Sequence, residues 1–174
     1  MPIDARKQHV KQWYQLYSDD IYKYVYFMIG DREQAKDLTQ DTFLRAFDKY
    51  KSFEAENIKG WLFRIARNLT IDYLRKKKPL AFFFDTIPAL KSTDATPEQI
   101  YAFNETEQEI FQTLEKIKRS YRDVIVLRKI EGFSIQETSE ILGWHESKVK
   151  INLLRGMKAL KKQLEKEAEN NETS

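Results

Sequence analysis

Two clusters of cations set among aromatic and amide side chains are the residues of this chain best suited to chemistry, and that chemistry is binding a polyanion. In the first, Phe53, Asn57, Lys59 and Trp61 lie just ahead of, or at the start of, a segment carrying Arg64, Arg67, Asn68, Arg75 and Lys76. An unstacked base gains about 1–3 kcal/mol on an aromatic platform, and polar groups can then read its edge, so this mixture suits single-stranded DNA. Phe53 and Trp61 are also residues that cores use, and core packing is the favoured expectation for both. In the second cluster, Lys148, Lys150, Arg155, Lys158, Lys161 and Lys162 follow a short capped segment and a glycine. Lys148 and Lys150 sit near the start of that helix, where base edges are reached, and the later cations are better placed for phosphates. A third pair, Asp37 and Asp41, lies four residues apart around Gln40, but two carboxylates with no His or further acid nearby make a poor cation site. A solvated or protein-binding face is the expectation there. His9 and His145 are expected at the surface or at helix caps.

These side chains need helices to hold them, and the apolar spacing supplies helices. Across 61–77, Leu62, Ile65, Ala66, Leu69 and Tyr73 make one stripe, with Arg64, Arg67, Asn68, Asp72 and Arg75 largely on the other side. Ser134-Ile135-Gln136-Glu137 matches a capping box, so a short helix begins there; Gly143 can take the left-handed conformation that ends it. A long helix then runs from His145 to about Glu167. Short helix, tight turn and basic helix together make helix-turn-helix geometry, in which the first helix braces the one that enters the major groove. Ile135, Thr138, Ile141 and Leu142 are expected to face inward with Val149 and Leu153. The bland alternative is a helical hairpin with solvated lysines.

Between these blocks, Pro79, Pro88 and Pro97 with Ser92, Thr93, Asp94 and Thr96 mark a connector. Phe82, Phe83 and Phe84 inside it either fold back on a domain surface, burying about 2 kcal/mol each, or dock on a partner. Helix is expected to resume after Thr96 as cap and Pro97 as first residue, running towards Lys118, with a further helix over 121–130. The fold class is therefore all-α: two small helical domains joined by a flexible linker. Their expected bounds are 1–78 and 105–167, with the linker at 79–104 and a frayed acidic tail at 168–174.

Composition agrees. In 174 residues, hydrophobic types make 41% and charged types 33%, while 5 Gly and 4 Pro leave little material for β-turns. With no Cys and two distant His, disulfides, thiolate metal sites and nucleophile–base pairs drop out, so no cofactor and no catalytic residue is expected. No long uncharged apolar run and no signal-like start is visible, which makes a cytoplasmic protein the expectation. The net charge of +3 is unevenly spread: residues 1–78 carry 16 basic and 11 acidic side chains and residues 105–164 carry 12 and 9, whereas 79–104 carry 1 and 3. Two mildly basic blocks around an acidic connector fit two separate contacts with nucleic acid.

The order of the motifs resembles that of extracytoplasmic-function RNA polymerase sigma factors of the sigma-70 family. Ala35-Lys36-Asp37-Leu38-Thr39-Gln40-Asp41-Thr42-Phe43-Leu44-Arg45-Ala46-Phe47 is similar to that family's polymerase-clamp-binding helix. Gly60-Trp61-Leu62-Phe63-Arg64-Ile65-Ala66-Arg67-Asn68-Leu69 resembles its promoter-melting helix, and the stretch from Tyr121 to Gly143 resembles its C-terminal helix-turn-helix domain. The resemblance implies that Asp37, Leu38, Gln40, Asp41 and Arg45 bind core polymerase through the clamp helices of its largest subunit. It implies that Asn57, Lys59, Trp61, Arg64, Arg67, Asn68, Arg75 and Lys76 serve the minus-ten element, single- and double-stranded, with a flipped base captured by the loop at 53–60. It gives Ser147, Lys148, Lys150, Ile151, Arg155 and Lys158 to the minus-thirty-five element, and the second domain also touches the polymerase flap. An anti-sigma factor, often membrane-bound, is the further partner implied, and no small-molecule substrate. The chain departs from the family's usual residues at Lys36, His145, Lys148, Asn152 and Met157, so the promoter sequence does not carry over. Two other readings stay open on the residues alone: a stand-alone helix-turn-helix regulator, normally a dimer, and a metal-dependent nucleic-acid enzyme built on Asp37, Asp41 and Asp72, which is short of ligands.

Overall fold

A computed structural model describes residues 3–53, 57–77 and 104–173. The elements are α1 (Ile3–Ile29), α2 (Arg32–Asp48), a 3-10 turn (Tyr50–Ser52), α3 (Ile58–Lys77), α4 (Glu105–Leu114), α5 (Arg119–Ile125), a π-helical turn (Val126–Ile130), α6 (Ile135–Leu142) and α7 (Glu146–Thr173). No strand occurs among the described residues, as the all-helical reading expects.

α1, α2 and α3 form the first domain. Asp31 caps α2 from an extended backbone, its carboxylate accepting from the Gln34 amide at 3.1 Å. The inward stripes of the three helices meet in a core of Ile21, Tyr24, Val25, Phe27, Ala35, Phe43, Ala46, Leu62 and Phe63. Fully burying a side chain such as Leu62 or Phe63 contributes about 2 kcal/mol, so the stripe on α3 decides which way its cations turn.

The second domain packs α5 and the π-helical turn against α6 and α7 around Val124, Val126, Leu127, Ile141, Leu142 and Val149. α7 crosses α5 at Gly156, where a Cβ would stand 3.0 Å from Cβ of Tyr121, so a larger residue would have to push the helices apart by a few tenths of an ångström. Asn104 caps α4 by accepting from the Glu107 amide at 2.8 Å.

Two sequence expectations need correcting. α4 stops at Leu114 rather than continuing towards Lys118, because Lys116 and Ile117 bond back three residues instead of four and tighten the end into a turn. α7 runs through to Thr173, past Glu167 and through the tail expected to fray. Glu167 is held there by Lys116 at 3.1 Å and by the Thr113 hydroxyl at 2.9 Å, which tie the late turns of α7 to α4. The expected cap at Thr96 and the Phe82–Phe84 cluster lie outside the described residues.

The domains share a seam. Tyr26 stacks on Phe111 with centroids 4.5 Å apart, and Phe63 meets the edge of Phe133 at 5.1 Å, so apolar packing runs from one domain into the other.

Candidate nucleic-acid interface

The helix-turn-helix forms as the sequence predicts. Ser134 accepts from the Glu137 amide at 3.0 Å while the Glu137 carboxylate accepts from the Ser134 amide at 2.9 Å, which closes the capping box. Gly143, at φ 69°, ends α6 in the left-handed region. Thr138, Ile141, Leu142 and Val149 are buried, with Ile135 and Leu153 packed against them, so the inward set matches expectation. That packing turns Ser147, Lys148, Lys150, Ile151, Arg155 and Lys158 outward, all of them exposed along one helix. The Lys148 ammonium lies 4.2 Å from the ring centre of Trp144, which steadies its stem beside the turn. A basic helix braced at its first turns by a second helix is the shape a major groove admits.

α3 divides its cations between two surroundings. Arg64, Asn68, Arg75 and Lys76 are exposed and continue one open face. Asn57, Lys59 and Arg67 instead turn to the second domain. Asn57 starts α3, its side-chain oxygen accepting from the Gly60 amide at 3.0 Å, and its amide nitrogen donates to Glu137. Lys59 lies 3.3 Å from Glu131 and 3.8 Å from Asp20. Arg67 reaches Asp123 at 3.5 Å and donates to the Leu142 carbonyl at 3.2 Å. Trp61 and Phe53 stand half-buried in an aromatic cluster around Trp13, with Phe53 and Trp61 4.9 Å apart and each within 6.0 Å of Trp13. They pack as core residues at its border, as their types favoured.

On α2, Asp37, Gln40, Asp41 and Arg45 are exposed on one side, whereas Leu38 is 8% exposed and belongs to the core. The structure thus separates Leu38 from the four polar residues with which the sequence grouped it. Leu44, 64% exposed, joins the polar face instead, and only its place off the inward stripe of Ala35, Leu38, Thr42, Phe43 and Ala46 could have signalled this.

Sequence reasoning missed the seam. Asp123, 2% exposed, accepts from the Tyr24 hydroxyl at 2.7 Å; burial pushes its carboxyl up, and the Arg67 charge opposes that rise. Burial and the neighbouring Asp123 charge hold Tyr24 well above the usual phenol range. Burial, reinforced by the Asp20 charge, pushes Glu131 up to about 7 against the pull of Lys59. The Ser134 amide holds Glu137 below the usual carboxylate range. Arg122 adds a polar clasp, donating to the Phe27 carbonyl of the first domain at 3.2 Å and to the Leu114 carbonyl of its own at 3.0 Å. The one local signal was an acid directly before the apolar run Val124-Ile125-Val126-Leu127.

Comparison with known proteins gives a consistent result. A family model for sigma-70 region 2 matches residues 13–79 and one for sigma-70 region 4 matches residues 107–160. The chain is 35% identical over 159 residues to the ECF RNA polymerase sigma factor SigX of Bacillus subtilis (strain 168), covering 87% of this chain and 81% of that protein. It is 37% identical over 160 residues to the ECF RNA polymerase sigma factor SigW of the same organism, covering 86% and 85%. Among solved structures, the sigma factor RpoE in complex with the anti-sigma factor NepR from Bartonella quintana superposes with a TM-score of 0.73 at 27% identity, over 89% of this chain and 96% of that one.

Proposed function

Since this chain belongs to the sigma-70 family of RNA polymerase sigma factors, in the extracytoplasmic-function group, we propose that its exposed faces divide the work of starting transcription between polymerase and promoter. The chain is a transcription initiation factor: it binds core RNA polymerase and directs it to promoters. It does so by binding, as members of its family do, and performs no catalysis of its own.

Residue by residue, Asp37, Gln40, Asp41 and Arg45 engage the clamp helices, supported by their common exposure on α2, with Leu38 fixing that face from below. Arg64, Asn68, Arg75 and Lys76 hold the minus-ten region together with Trp61 at the border of its aromatic cluster, joined by Asn57, Lys59 and Arg67 once these three are free of the second domain. Ser147, Lys148, Lys150 and Ile151 meet the base edges of the minus-thirty-five element while Arg155 and Lys158 grip phosphates. An anti-sigma factor holds the chain inactive, a reading supported by the RpoE likeness. No helix among the described residues is long and apolar enough to cross a membrane, and we place the chain at work in the cytoplasm beside polymerase.

The observation that carries this reading is the matched order of two sigma regions in one chain, each presenting an exposed basic helix. Mixing the purified chain with core polymerase tests it: a 1:1 complex on gel filtration and specific run-off transcripts are expected. Failure to bind core, or equal transcription without the chain, defeats it.

A further inference from the structure

His9, on α1, lies ahead of residues 13–79, the segment matched by the family model for sigma-70 region 2, yet it adds a ring to the aromatic cluster around Trp13. Its plane is tilted 25° from the Trp13 ring and 27° from the Tyr50 ring, with centroids 6.5 and 5.9 Å away. Trp13 and Tyr50 complete the tier at 20° and 5.7 Å. Near-parallel rings at these separations are in the offset-stacked arrangement that aromatic quadrupoles favour. A different constraint holds each ring. Trp13, 6% exposed, is fixed by the core. Tyr50 opens the 3-10 turn, whose Phe53 amide donates to the Tyr50 carbonyl at 3.2 Å. His9 is pinned through Nδ1 to the Tyr50 hydroxyl.

Burial does not explain why His9 is held. Trp13 is buried, Tyr50, Phe53 and Trp61 are half-buried and His9 is exposed, so the tier ends in a ring open to water. Ordering an exposed side chain costs rotamer freedom and removes little apolar surface in return. When the Tyr50 hydroxyl donates to Nδ1, the neutral imidazole carries its proton on Nε2, which has no partner among the described residues. A flat π face with a donor at its edge is the chemistry that takes an unpaired base: the base stacks on the face, and its edge or a neighbouring phosphate accepts from Nε2.

Its position fits that use. The 3-10 turn that carries Tyr50 leads through Phe53 into the loop at 53–60, and Trp61 meets the edge of Trp13 at 6.0 Å. His9 and Trp61 therefore both lie within 6.5 Å of one ring centre, close enough to serve neighbouring nucleotides of one strand. All five rings come from α1, the 3-10 turn and α3 of the first domain.

We propose that His9, positioned by Tyr50 and Trp13, is a stacking surface for an unpaired base of the promoter strand, a second aromatic station beside Trp61 that α1 supplies. This inference rests on the sigma-factor reading for the identity of the strand, whereas the stacking itself is testable with any single strand.

The full chain is titrated at low salt with a fluorescein-labelled 20-nucleotide single strand of mixed sequence and, separately, with the same sequence as duplex. His9→Ala should weaken single-strand binding about tenfold, the loss of one stacked base, and leave duplex affinity and helical content by circular dichroism unchanged. His9→Phe, which keeps a π face and discards the hydrogen bond, should stay within about threefold of the parent. Tyr50→Phe, which keeps its ring but frees His9, should fall between His9→Phe and His9→Ala. A parent that binds no single strand, or a His9→Ala chain that binds it as the parent does, overturns the proposal. Equal losses in His9→Ala and His9→Phe would assign the effect to the hydrogen bond and overturn the stacking surface, and equal losses on strand and duplex would show only a loosened domain. A chain that binds core polymerase and yields transcripts, with strand binding indifferent to His9, sinks the stacking surface alone; His9-dependent strand binding in a chain that ignores polymerase sinks the sigma reading alone.

Discussion

The Tyr24 hydroxyl, on a side chain with no exposed surface, donates to Asp123 across the seam between the domains at 2.7 Å, joining residues 99 positions apart. Arg67 meets the other oxygen of the same carboxylate at 3.5 Å, so one acid joins α1, α3 and α5. Removing one member of a buried charged pair strands its partner, at a cost of about 3–5 kcal/mol. Asp123→Ala should therefore lower the urea midpoint by that equivalent, and Asp123→Asn, which also removes the charge opposite Arg67 but keeps a polar group opposite Tyr24, by most of it. A near-zero loss in the Asn variant would show that the charge of Asp123 does not hold Arg67.

Glu131 makes the stability of the closed chain depend on pH. Its carboxyl rises from 4.5 to about 7, with a side chain only 5% exposed beside Lys59. An acid raised on folding binds its proton more tightly in the folded chain, so its contribution is complete below about 4.5 and lost as pH climbs through about 7. Relative to Glu131→Gln, the parent should lose on the order of 3 kcal/mol of stability across that window and stay level above it. Thermal melts at pH 5, 6, 7 and 8 give the measurement, and a level difference throughout contradicts it.

Leu38 and Asp41 should separate cleanly. Leu38→Ala empties a buried site and should destabilise the fold by about 2–4 kcal/mol. Asp41→Ala and Arg45→Ala, on the exposed face of α2, should leave the melting temperature unchanged within a degree or two while weakening core polymerase binding about tenfold, or about 1.4 kcal/mol. Titration of labelled chain with core decides the assignment.

At Gly143 the backbone lies at φ 69°, where a side chain is strained whatever space surrounds it. Gly143→Ala should cost about 1–2 kcal/mol and loosen the angle between α6 and α7. Transcription that depends on the minus-thirty-five element should fall more than polymerase binding does. A variant with full stability and full promoter use would remove the turn from the argument.

On α7, Lys158→Ala should weaken DNA binding uniformly across sequences and reduce the salt slope by about 1, as loss of one phosphate contact does. Lys148→Ala, near the helix start, should instead relax sequence preference, with a penalty of about 1–3 kcal/mol confined to the favoured promoter. Run-off assays on a promoter and its mutated minus-thirty-five element distinguish the two patterns.

Local chemistry was written in the sequence. The stripe of α3, the capping box at Ser134 and Glu137, the stop at Gly143 and the exposed cations of α7 all follow from contacts within a few residues, and spacing alone specifies those. The end of α7 did not follow, because Thr113 and Lys116 hold Glu167 from more than 50 positions away. Nor did the division of α3: Arg64 and Arg67 read alike in a linear stripe, and only the arrival of Asp123 and α6 half-buries one and leaves the other in water. Helix identity depends on short-range periodicity, but which charge is free depends on which distant carboxylate the closed fold places against it.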